Sequence, residues 1–347
     1  MPSFRVGRVK GRVRLLVCAL SAVVSAGCAP TDGPMVTPAA PGYPLTVRNC
    51  DRDVVIDAPP QRAVSLNQSS TEILLSLGLA DRMVGTATWT DSVRFNLEAE
   101  NARVPRLAVN KPSLETVLDT EPDFVSASFG GTLGPGGVAD RDQFAELGVP
   151  TYLAPSDCEG KTSVNGDGAR SAPFTMEAIY TEIRDLARIF GVAERGDRLV
   201  AELRGRMESA AAAGPGVDVA FWFSDVRAPY FAGCCGAPGV IAGAVGARNV
   251  FADTADEWPQ VSWESLADRD PDVLVLGDLS RRTIEGDALE TKVEFLESNP
   301  LTRGLTAVQN RRYIVVNGAD LNPSIRTVDG AEKVAKGLAD FGFGAAR

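Results

Sequence analysis

The chain has 347 residues, of which 44% are hydrophobic and 23% charged, so it is long enough for one or two domains with an ordinary core. Its formal net charge of −10 argues against a nucleic-acid partner, because phosphate backbones attract basic proteins. The absence of histidine excludes serine–histidine and cysteine–histidine couples, HExxH zinc sites, other zinc or manganese sites built on histidine, and imidazole ligation of haem. We therefore expect no directly bound metal and no cofactor; any metal would arrive inside a chelator.

The first 27 residues have the pattern of an export signal. Five basic residues precede an apolar run over residues 15–24, and small residues then lead directly to Cys28. The run is shorter than the roughly 20 residues of a bilayer span. Small residues immediately before a cysteine are typical of a lipoprotein cleavage box, so we predict lipidation of Cys28. The alternative is an ordinary signal peptide followed by a chance cysteine.

This interpretation predicts an extracytoplasmic protein that is anchored to the cell membrane through its N-terminal lipid only. Residues 28–44 are rich in proline and glycine and are predicted to form a flexible tether. The signal holds five of the 35 basic residues and none of the 45 acidic ones, so its removal takes the net charge from −10 to −15. Such a charge also disfavours a polybasic grip on anionic lipid.

The mature chain opens with a predicted hairpin over residues 44–57, and strands then alternate with helices up to residue 153. The first helix, residues 71–77, has Ser69 or Ser70 as its N-cap candidate. This alternation predicts an α/β fold with a mostly parallel sheet. Apolar residues then recur at helical spacing over residues 174–213, with a break at Gly191. A second series of strands and helices follows, so we predict an N-terminal lobe over residues 45–173, a linking helix over 174–192 and a C-terminal lobe over 193–347.

One stretch occurs twice, at residues 113–125 and 262–274. Serine, glutamate and a Pro-Asp pair recur at the same spacing, with apolar residues between them. The serine suits a helix N-cap, the proline ends the helix, and the following apolar run suits a strand buried on both faces. Two copies about 150 residues apart lie outside the roughly 20–50-residue periods of solenoids, and they indicate two similar lobes.

Four cysteines remain after export and lipidation, an even number in an oxidising compartment. Three pairings are possible. We favour Cys50 with Cys158, which leaves Cys234 and Cys235 as a strained vicinal disulfide or as free thiols. The alternative is one crosslink from the N-terminal half to Cys234 or Cys235.

Ligands of open parallel α/β sheets bind at the carboxyl ends of the strands, which selects the loops where the strands end. Aromatic side chains suit flat or hydrophobic chelates, and arginine suits anionic oxygen ligands. Trp222 and Trp263 are expected to pack in the interior. The candidate ligand-binding residues are Trp89, Phe129, Arg227, Tyr230, Trp258 and Arg326.

Residues 60–66, 71–79 and 246–251, with both repeat copies, resemble the periplasmic binding proteins for ferric siderophores and cobalamin, and most of all the iron(III) dicitrate/siderophore-binding lipoproteins of actinobacteria. The resemblance implies two Rossmann-like lobes joined by one long helix, a cleft between them, little hinge motion and a monomer. It also implies delivery of cargo to the permease dimer of an ABC importer. In that family matching glutamates on the two lobes meet arginines of the permease, and Glu115 and Glu264 occupy those positions here.

The sequence thus predicts a lipid-anchored protein that binds a ferric siderophore. Haem or cobalamin is the alternative cargo, and Tyr230 or the Cys234–Cys235 pair would be the available haem ligands. A sensory lipoprotein that binds a partner protein is a further alternative. An enzyme is not expected, because the cysteine motif is C-C and not C-x-x-C and no histidine accompanies it.

Overall fold

The computed structural model describes residues 40–162, 168–211, 213–280 and 286–344. The predicted signal peptide, Cys28 and the tether up to residue 39 lie outside the described residues. Within the described ranges, no helix combines the length and the apolar character needed to cross a bilayer.

The N lobe contains a four-stranded, all-parallel sheet in the order β4-β3-β5-β6, preceded by a separate antiparallel hairpin, β1-β2. Nearly every strand residue of the sheet is buried, as expected for a parallel sheet covered on both faces. Its strands are β1 (Leu45–Asn49), β2 (Arg52–Ile56), β3 (Ala63–Ser65), β4 (Met83–Thr86), β5 (Phe124–Ala127) and β6 (Thr151–Leu153). Its helices are α1 (Gln68–Ser76), α2 (Glu98–Asn101), α3 (Leu114–Leu118) and α4 (Arg141–Glu146).

Helix α5 (Met176–Ile189) follows the N lobe, and helix α6 (Ala193–Ser209) then leads to the first strand of the second sheet. The C lobe has a second sheet in the order β11-β10-β7-β8, with β9 paired to β7; β8 alone is antiparallel to its neighbour. Its strands are β7 (Asp218–Ser224), β8 (Tyr230–Phe231), β9 (Arg248–Asn249), β10 (Val273–Asp278) and β11 (Tyr313–Asn317). Its helices are α7 (Ala237–Val245), α8 (Trp263–Arg269), α9 (Leu289–Ser298), α10 (Thr306–Gln309) and α11 (Arg326–Asp340).

The repeated stretch forms equivalent units, α3–β5 and α8–β10. The Ser113 hydroxyl accepts a hydrogen bond from the Thr116 amide, and the Ser262 hydroxyl accepts one from the Ser265 amide, each at 3.1 Å. Each unit then feeds an interior strand of its own sheet. The predicted caps and strands are therefore present in both copies.

The start of α1 differs from the prediction. The helix begins at Gln68 with Asn67 as N-cap, and neither Ser69 nor Ser70 caps it. The Ser70 hydroxyl instead lies 2.7 Å from that of Ser65, at the end of β3. Asn67 does not cap through its side chain, because its Oδ1 accepts from the Ser128 amide at 2.8 Å. The Asn67 side chain therefore bonds to the residue that follows β5 instead of capping the helix.

A single hydrophobic cluster continues from one lobe into the other. It joins Ile73 of α1 and Ile183 of α5 to Ala237 of α7 and Val328 of α11, each of which is fully buried. Moving the lobes apart would expose this apolar surface to water, at about 25 cal/mol per Å². The lobes are therefore packed together rather than merely tethered.

A buried ion pair crosses this interface. Arg326 Nε donates to Glu72 Oε2 at 2.7 Å, Arg326 Nη2 contacts Glu72 Oε1, and the two side chains are 4% and 1% exposed. Arg326 Nη2 also donates to the Ser92 carbonyl at 2.5 Å, and Glu72 Oε1 accepts from the Gln68 side chain at 3.1 Å. The pair is thus embedded in further hydrogen bonds, which a buried pair needs to offset its desolvation.

Neighbouring contacts extend this pair into a larger polar interface between the lobes, which we call the first seam. It comprises Glu72, Asp91, Ser92, Arg94, Arg206, Ala319, Arg326 and Asp329. Arg94 forms a bidentate pair with Asp329 of α11 at 2.9 Å for both bonds, and Arg206 of α6 reaches the same carboxylate at 2.6 Å. Asp91 Oδ2 accepts from the Ala319 amide at 2.6 Å. The loops that follow β4 and β11 are therefore bonded directly to each other.

A second seam, defined by Ser156, Arg170, Phe174, Cys235 and Glu257, joins the opposite edges of the two sheets. Arg170 Nε donates to Glu257 Oε1 at 2.6 Å, and these side chains are 1% and 7% exposed. Arg170 Nη2 donates to the Ser156 carbonyl at 2.6 Å, just beyond β6. The Phe174 amide donates to the Cys235 carbonyl at 2.9 Å, beyond β8.

The structure joins Cys50 to Cys158 at an S–S distance of 2.04 Å, the pairing that we favoured. This bond ties the β1–β2 hairpin to the segment after β6 across 108 residues of chain. The sulfurs of Cys234 and Cys235 also lie in bonding contact.

Glu182 of α5 is 1% exposed and neither carboxylate oxygen has a hydrogen-bond partner. Burial, with a smaller contribution from Asp185, raises its pKa from 4.5 to about 8. The folded protein therefore keeps this proton at pH values where the unfolded chain loses it. Stability contributed by protonated Glu182 is complete below about pH 4.5 and falls as the pH rises towards 8.

We predict that Glu182→Gln removes this pH dependence. The variant should gain roughly 2–4 kcal/mol over the wild type in urea unfolding at pH 8 and little at pH 4.5. Glu202→Gln, an exposed change on α6, serves as the control and should follow the wild type at both pH values. Equal pH slopes for wild type and Glu182→Gln would contradict an uncompensated buried carboxyl group.

We also predict that Arg326→Met costs about 3–5 kcal/mol of unfolding free energy, because it leaves Glu72 buried without its partner. The double variant Glu72→Leu/Arg326→Met should recover a large part of that loss. Lys336→Met, which removes an exposed pair with Asp340 on the same helix, is the control and should change stability by about 1 kcal/mol or less. Urea unfolding measures all three, and a single-variant cost no greater than the control would refute the role of the pair.

Candidate ligand-binding cleft

The two seams define where a cleft can open between the lobes. The first seam joins the loops after edge strands β4 and β11, and the second joins the segments after edge strands β6 and β8. The loops after the parallel strands β4, β6 and β11 all take part in these seams, so we infer that the carboxyl ends of β3 and β5 face those of β7 and β10. Parallel strands of both sheets end at this gap, which is where α/β proteins bind ligands.

The C-lobe wall carries a pair of aromatic rings. Phe223 and Trp258 lie with ring centroids 4.8 Å apart and planes inclined by 34°, and both are half-buried. Phe223 and Phe221 are two residues apart on β7 and so share a face of the sheet, which packs on α7 and α11. Helices α7 and α11 border the N lobe, so the Phe223–Trp258 pair lies on the face of the C-lobe sheet that is nearer the cleft.

The loop between β7 and β8 holds Arg227 and Tyr230. The Asp225 carboxylate accepts from the amides of Arg227 at 2.7 Å and Ala228 at 3.1 Å, which fixes the turn. The Arg227 side chain is exposed and pairs with no carboxylate among the described residues. Tyr230 is half-buried on β8 opposite Ser224.

Phe129 lies on the N-lobe wall, directly after β5, and is 39% exposed. Its neighbours are held in place by side chains: the Gly130 amide donates to Asp157 Oδ2 at 2.5 Å, and Asn67 donates to the Thr132 hydroxyl at 3.2 Å. An exposed phenyl ring on a fixed loop is suited to contact an apolar ligand surface.

Two of the six candidates lie elsewhere. Trp89 is 7% exposed; its Nε1 donates to the Thr86 hydroxyl at 3.1 Å and the Arg106 guanidinium lies 4.4 Å from its ring centroid. Arg326 belongs to the first seam, where its guanidinium already forms an ion pair with Glu72. In this arrangement neither side chain presents a free surface to a ligand, whereas Phe129, Arg227, Tyr230 and Trp258 lie at the carboxyl edges of the sheets. As expected, Trp222 and Trp263 pack in the C-lobe interior, with centroids 4.9 Å apart.

Sequence reasoning missed two residues. Phe223 is the last aromatic of an apolar strand, and such a run by itself indicates burial. Lys292 on α9 is fully buried: its Nζ donates to the Gly277 carbonyl at 2.6 Å, contacts the Phe223 carbonyl and lies 5.2 Å from the Trp222 ring centroid. This ammonium group links the ends of β7 and β10 beneath the cleft, and no local pattern marks it.

Glu115 and Glu264 occupy the first turns of α3 and α8, and both are exposed. A carboxylate there favours the helix dipole. Neither carboxylate pairs with a basic side chain in the described part of the chain. Both remain available to a basic partner.

Comparison with known proteins agrees with this geometry. Residues 64–318 match the Periplasmic binding protein family. A cobalamin-binding protein of Halobacterium salinarum is 24% identical over 302 residues, covering 84% of this chain and 73% of its own. The ABC transporter substrate-binding lipoprotein YvrC of Bacillus subtilis is 24% identical over 336 residues, covering 92% and 94%.

Two solved structures share the fold at 25% sequence identity. A periplasmic binding protein from Veillonella parvula has a TM-score of 0.72 and covers 82% of this chain and 93% of its own. A structure described as an ABC-type Fe3+-hydroxamate transport system, from Saccharomonospora viridis, has a TM-score of 0.68 and covers 85% and 99%. With its two-lobed α/β fold and its match over residues 64–318, the chain belongs to the periplasmic binding protein family, whose members serve ABC transporters as binding proteins and not as enzymes.

Proposed function

We propose that this protein is an extracytoplasmic, lipid-anchored binding protein that captures a ferric siderophore between its lobes and delivers it to an ABC importer. The observation that carries the cargo assignment is the Phe223–Trp258 pair on one wall, with exposed Phe129 on the other and Arg227 at the rim. Aromatic faces bind the hydrophobic flanks of a chelate, and a guanidinium binds its anionic oxygens. The iron would enter already chelated, as cargo.

The second candidate cargo is cobalamin. The relative from Halobacterium salinarum, which covers most of this chain, is a cobalamin-binding protein, whereas the Saccharomonospora viridis structure belongs to a hydroxamate system. Both cargoes are large chelates that an aromatic wall suits. Haem is the remaining alternative, with Tyr230 or the Cys234–Cys235 pair as its possible ligands.

Anchoring through lipidated Cys28 is supported by the cleavage-box pattern and by the lipoprotein relative from Bacillus subtilis. In this proposal residues 28–44 form the tether, residues 45–173 and 193–347 form the lobes, and residues 174–192 link them. The protein acts as a monomer and holds its cargo at a distance from the membrane that the tether limits.

The docking part of the proposal assigns Glu115 and Glu264 to the permease dimer. The two residues are exposed, occupy equivalent positions in the repeated units and have free carboxylates within the described residues. A two-fold permease presents the same basic surface twice, so one acidic contact per lobe would match it. Helix capping can explain each glutamate by itself, but it does not explain why glutamates occupy equivalent positions in both lobes.

Tryptophan fluorescence of the purified protein tests the cargo. We expect ferrioxamine, a ferric hydroxamate, to quench emission, and Trp258→Ala to weaken its binding by about 10- to 30-fold, because an aromatic contact is lost. Leu301→Ala, which truncates an exposed apolar side chain, is the control and should bind as the wild type does. Cyanocobalamin and haemin are titrated in parallel. Quenching by one of these alone would contradict the siderophore assignment and identify that compound as the cargo. Quenching by none of the three would favour a protein partner.

Charge reversal tests docking. We expect Glu115→Lys/Glu264→Lys to reduce cargo uptake by cells about tenfold or more while cargo affinity stays within about twofold, because the lost contacts are with the importer. The control is Asp119→Lys/Asp268→Lys, which reverses exposed carboxylates near the other ends of the same helices. Loss of affinity with undiminished uptake would contradict the assignment.

A further inference from the structure

Cys234 and Cys235 occupy a structurally important point, because they form the C-lobe side of the second seam. The Cys235 carbonyl accepts from the Phe174 amide at 2.9 Å. Phe174 is 4% exposed and directly precedes Thr175, the N-cap of α5. The cysteine pair is therefore bonded to the start of the first helix that joins the two lobes.

The surrounding backbone leaves the pair little freedom. The Cys234 amide donates to the Thr254 carbonyl at 2.9 Å, and the Gly233 amide donates to the Glu257 carbonyl at 3.0 Å. A Cβ at Gly239 would collide with the Cys234 carbonyl, so the first turn of α7 packs directly on the cysteine backbone. A change in conformation between residues 234 and 235 must therefore be transmitted to these contacts.

The same segment supports the buried ion pair of the seam. A Cβ on Gly236 would lie 3.3 Å from Glu257 Cγ, which shows how closely the two segments pack. Glu257 carries the pair with Arg170, whose guanidinium reaches back to the N lobe. The cysteine pair, Glu257 and Arg170 thus form one continuous connection between the lobes.

The two sulfurs differ in access. Cys235 is 5% exposed, whereas Cys234 is half-buried. Thiol–disulfide exchange needs a path for the attacking thiolate to one sulfur, and the greater exposure of residue Cys234 favours attack at its Sγ.

We propose that Cys234–Cys235 is a reversible thiol–disulfide exchange site that locks the second seam when oxidised, with an extracytoplasmic dithiol as its reductant. One thiolate of the dithiol attacks Cys234 Sγ, the S–S bond breaks, and Cys235 Sγ leaves as a thiolate that takes up a proton. The second thiol of the reductant then attacks the mixed disulfide and releases the Cys234 thiol. Two electrons pass from the dithiol, which becomes a disulfide, to the cysteine pair.

The structural consequence follows from the ring that the bond closes. A disulfide between adjacent residues encloses their shared peptide group in an eight-membered ring and so restricts its dihedral angles. Reduction opens the ring and frees that peptide. The hydrogen bonds on either side of it, from the Phe174 amide to the Cys235 carbonyl and from the Cys234 amide to the Thr254 carbonyl, belong to the flanking peptides and weaken when the cysteine backbone loses the restraint of the ring. The loosened contact lies at one end of the cleft and at the start of α5.

Hydrogen exchange of the intact protein tests this mechanism, with peptide mass spectrometry after alkylation to report the state of Cys234 and Cys235. Dithiothreitol is the dithiol probe and diamide the oxidant. In oxidised protein both cysteines should resist alkylation in denaturant; after reduction both should react there, and exchange at the Phe174 and Cys234 amides of the folded protein should accelerate by about tenfold or more. Amides of β3 and β10 should keep their rates, and diamide should restore slow exchange.

Two variants separate this bond from the other disulfide. Cys234→Ser/Cys235→Ser should exchange rapidly at Phe174 with or without dithiothreitol, whereas Cys50→Ser/Cys158→Ser should respond to dithiothreitol as the wild type does. If Cys234→Ser/Cys235→Ser does not fold, the exchange rates of the wild type in the reduced and reoxidised states are sufficient to test the proposal. Alkylation of both cysteines in diamide-treated protein, or identical exchange at Phe174 in the oxidised and reduced states, would overturn the proposal.

Discussion

The buried pair between Glu72 and Arg326 is the interaction on which the rest of the structure depends. Two charges at 1% and 4% exposure are tolerated because each has a further hydrogen bond besides the pair itself, to Gln68 for Glu72 and to the Ser92 carbonyl for Arg326. Opening the interface would separate the charges and expose the apolar cluster that surrounds them. The lobes are therefore held in one relative position by electrostatics and by the hydrophobic effect together.

The shape of the cleft depends on how these interface contacts hold the two lobes. With seams joining the lobes on both sides, the gap is bounded by the interior strands and by loops such as that of Phe129, which side-chain hydrogen bonds hold in place. Lys292 adds to this by holding the ends of β7 and β10 together beneath the Phe223–Trp258 pair. A site of this kind selects its ligand by fit to a preformed surface, which lowers the ordering cost of binding.

Local patterns were enough to predict the repeated units, because a serine cap, a Pro-Asp stop and an apolar strand are encoded within 13 residues. They were also enough for the interior positions of Trp222 and Trp263. Arg326 and Trp89 could not be placed in this way. The partner of Arg326 lies 254 residues away, and a helix-start arginine has the same local pattern whether it meets a ligand or a glutamate. The predicted cap of α1 was wrong for a similar reason, since the Ser70 hydroxyl bonds to Ser65 at the end of β3 and not to the helix start.

A fixed interface between the lobes would affect how empty and loaded copies of the protein compete for the importer. In the proposed docking, lobes held together by the first seam would keep the spacing of Glu115 and Glu264 the same in the empty and the loaded protein. An importer that measured only this spacing could not distinguish the two, so empty copies would occupy the dock as readily as loaded ones. Transport at low cargo concentration would then be limited by queueing, and the number of anchored copies per importer would become as important as their affinity for cargo.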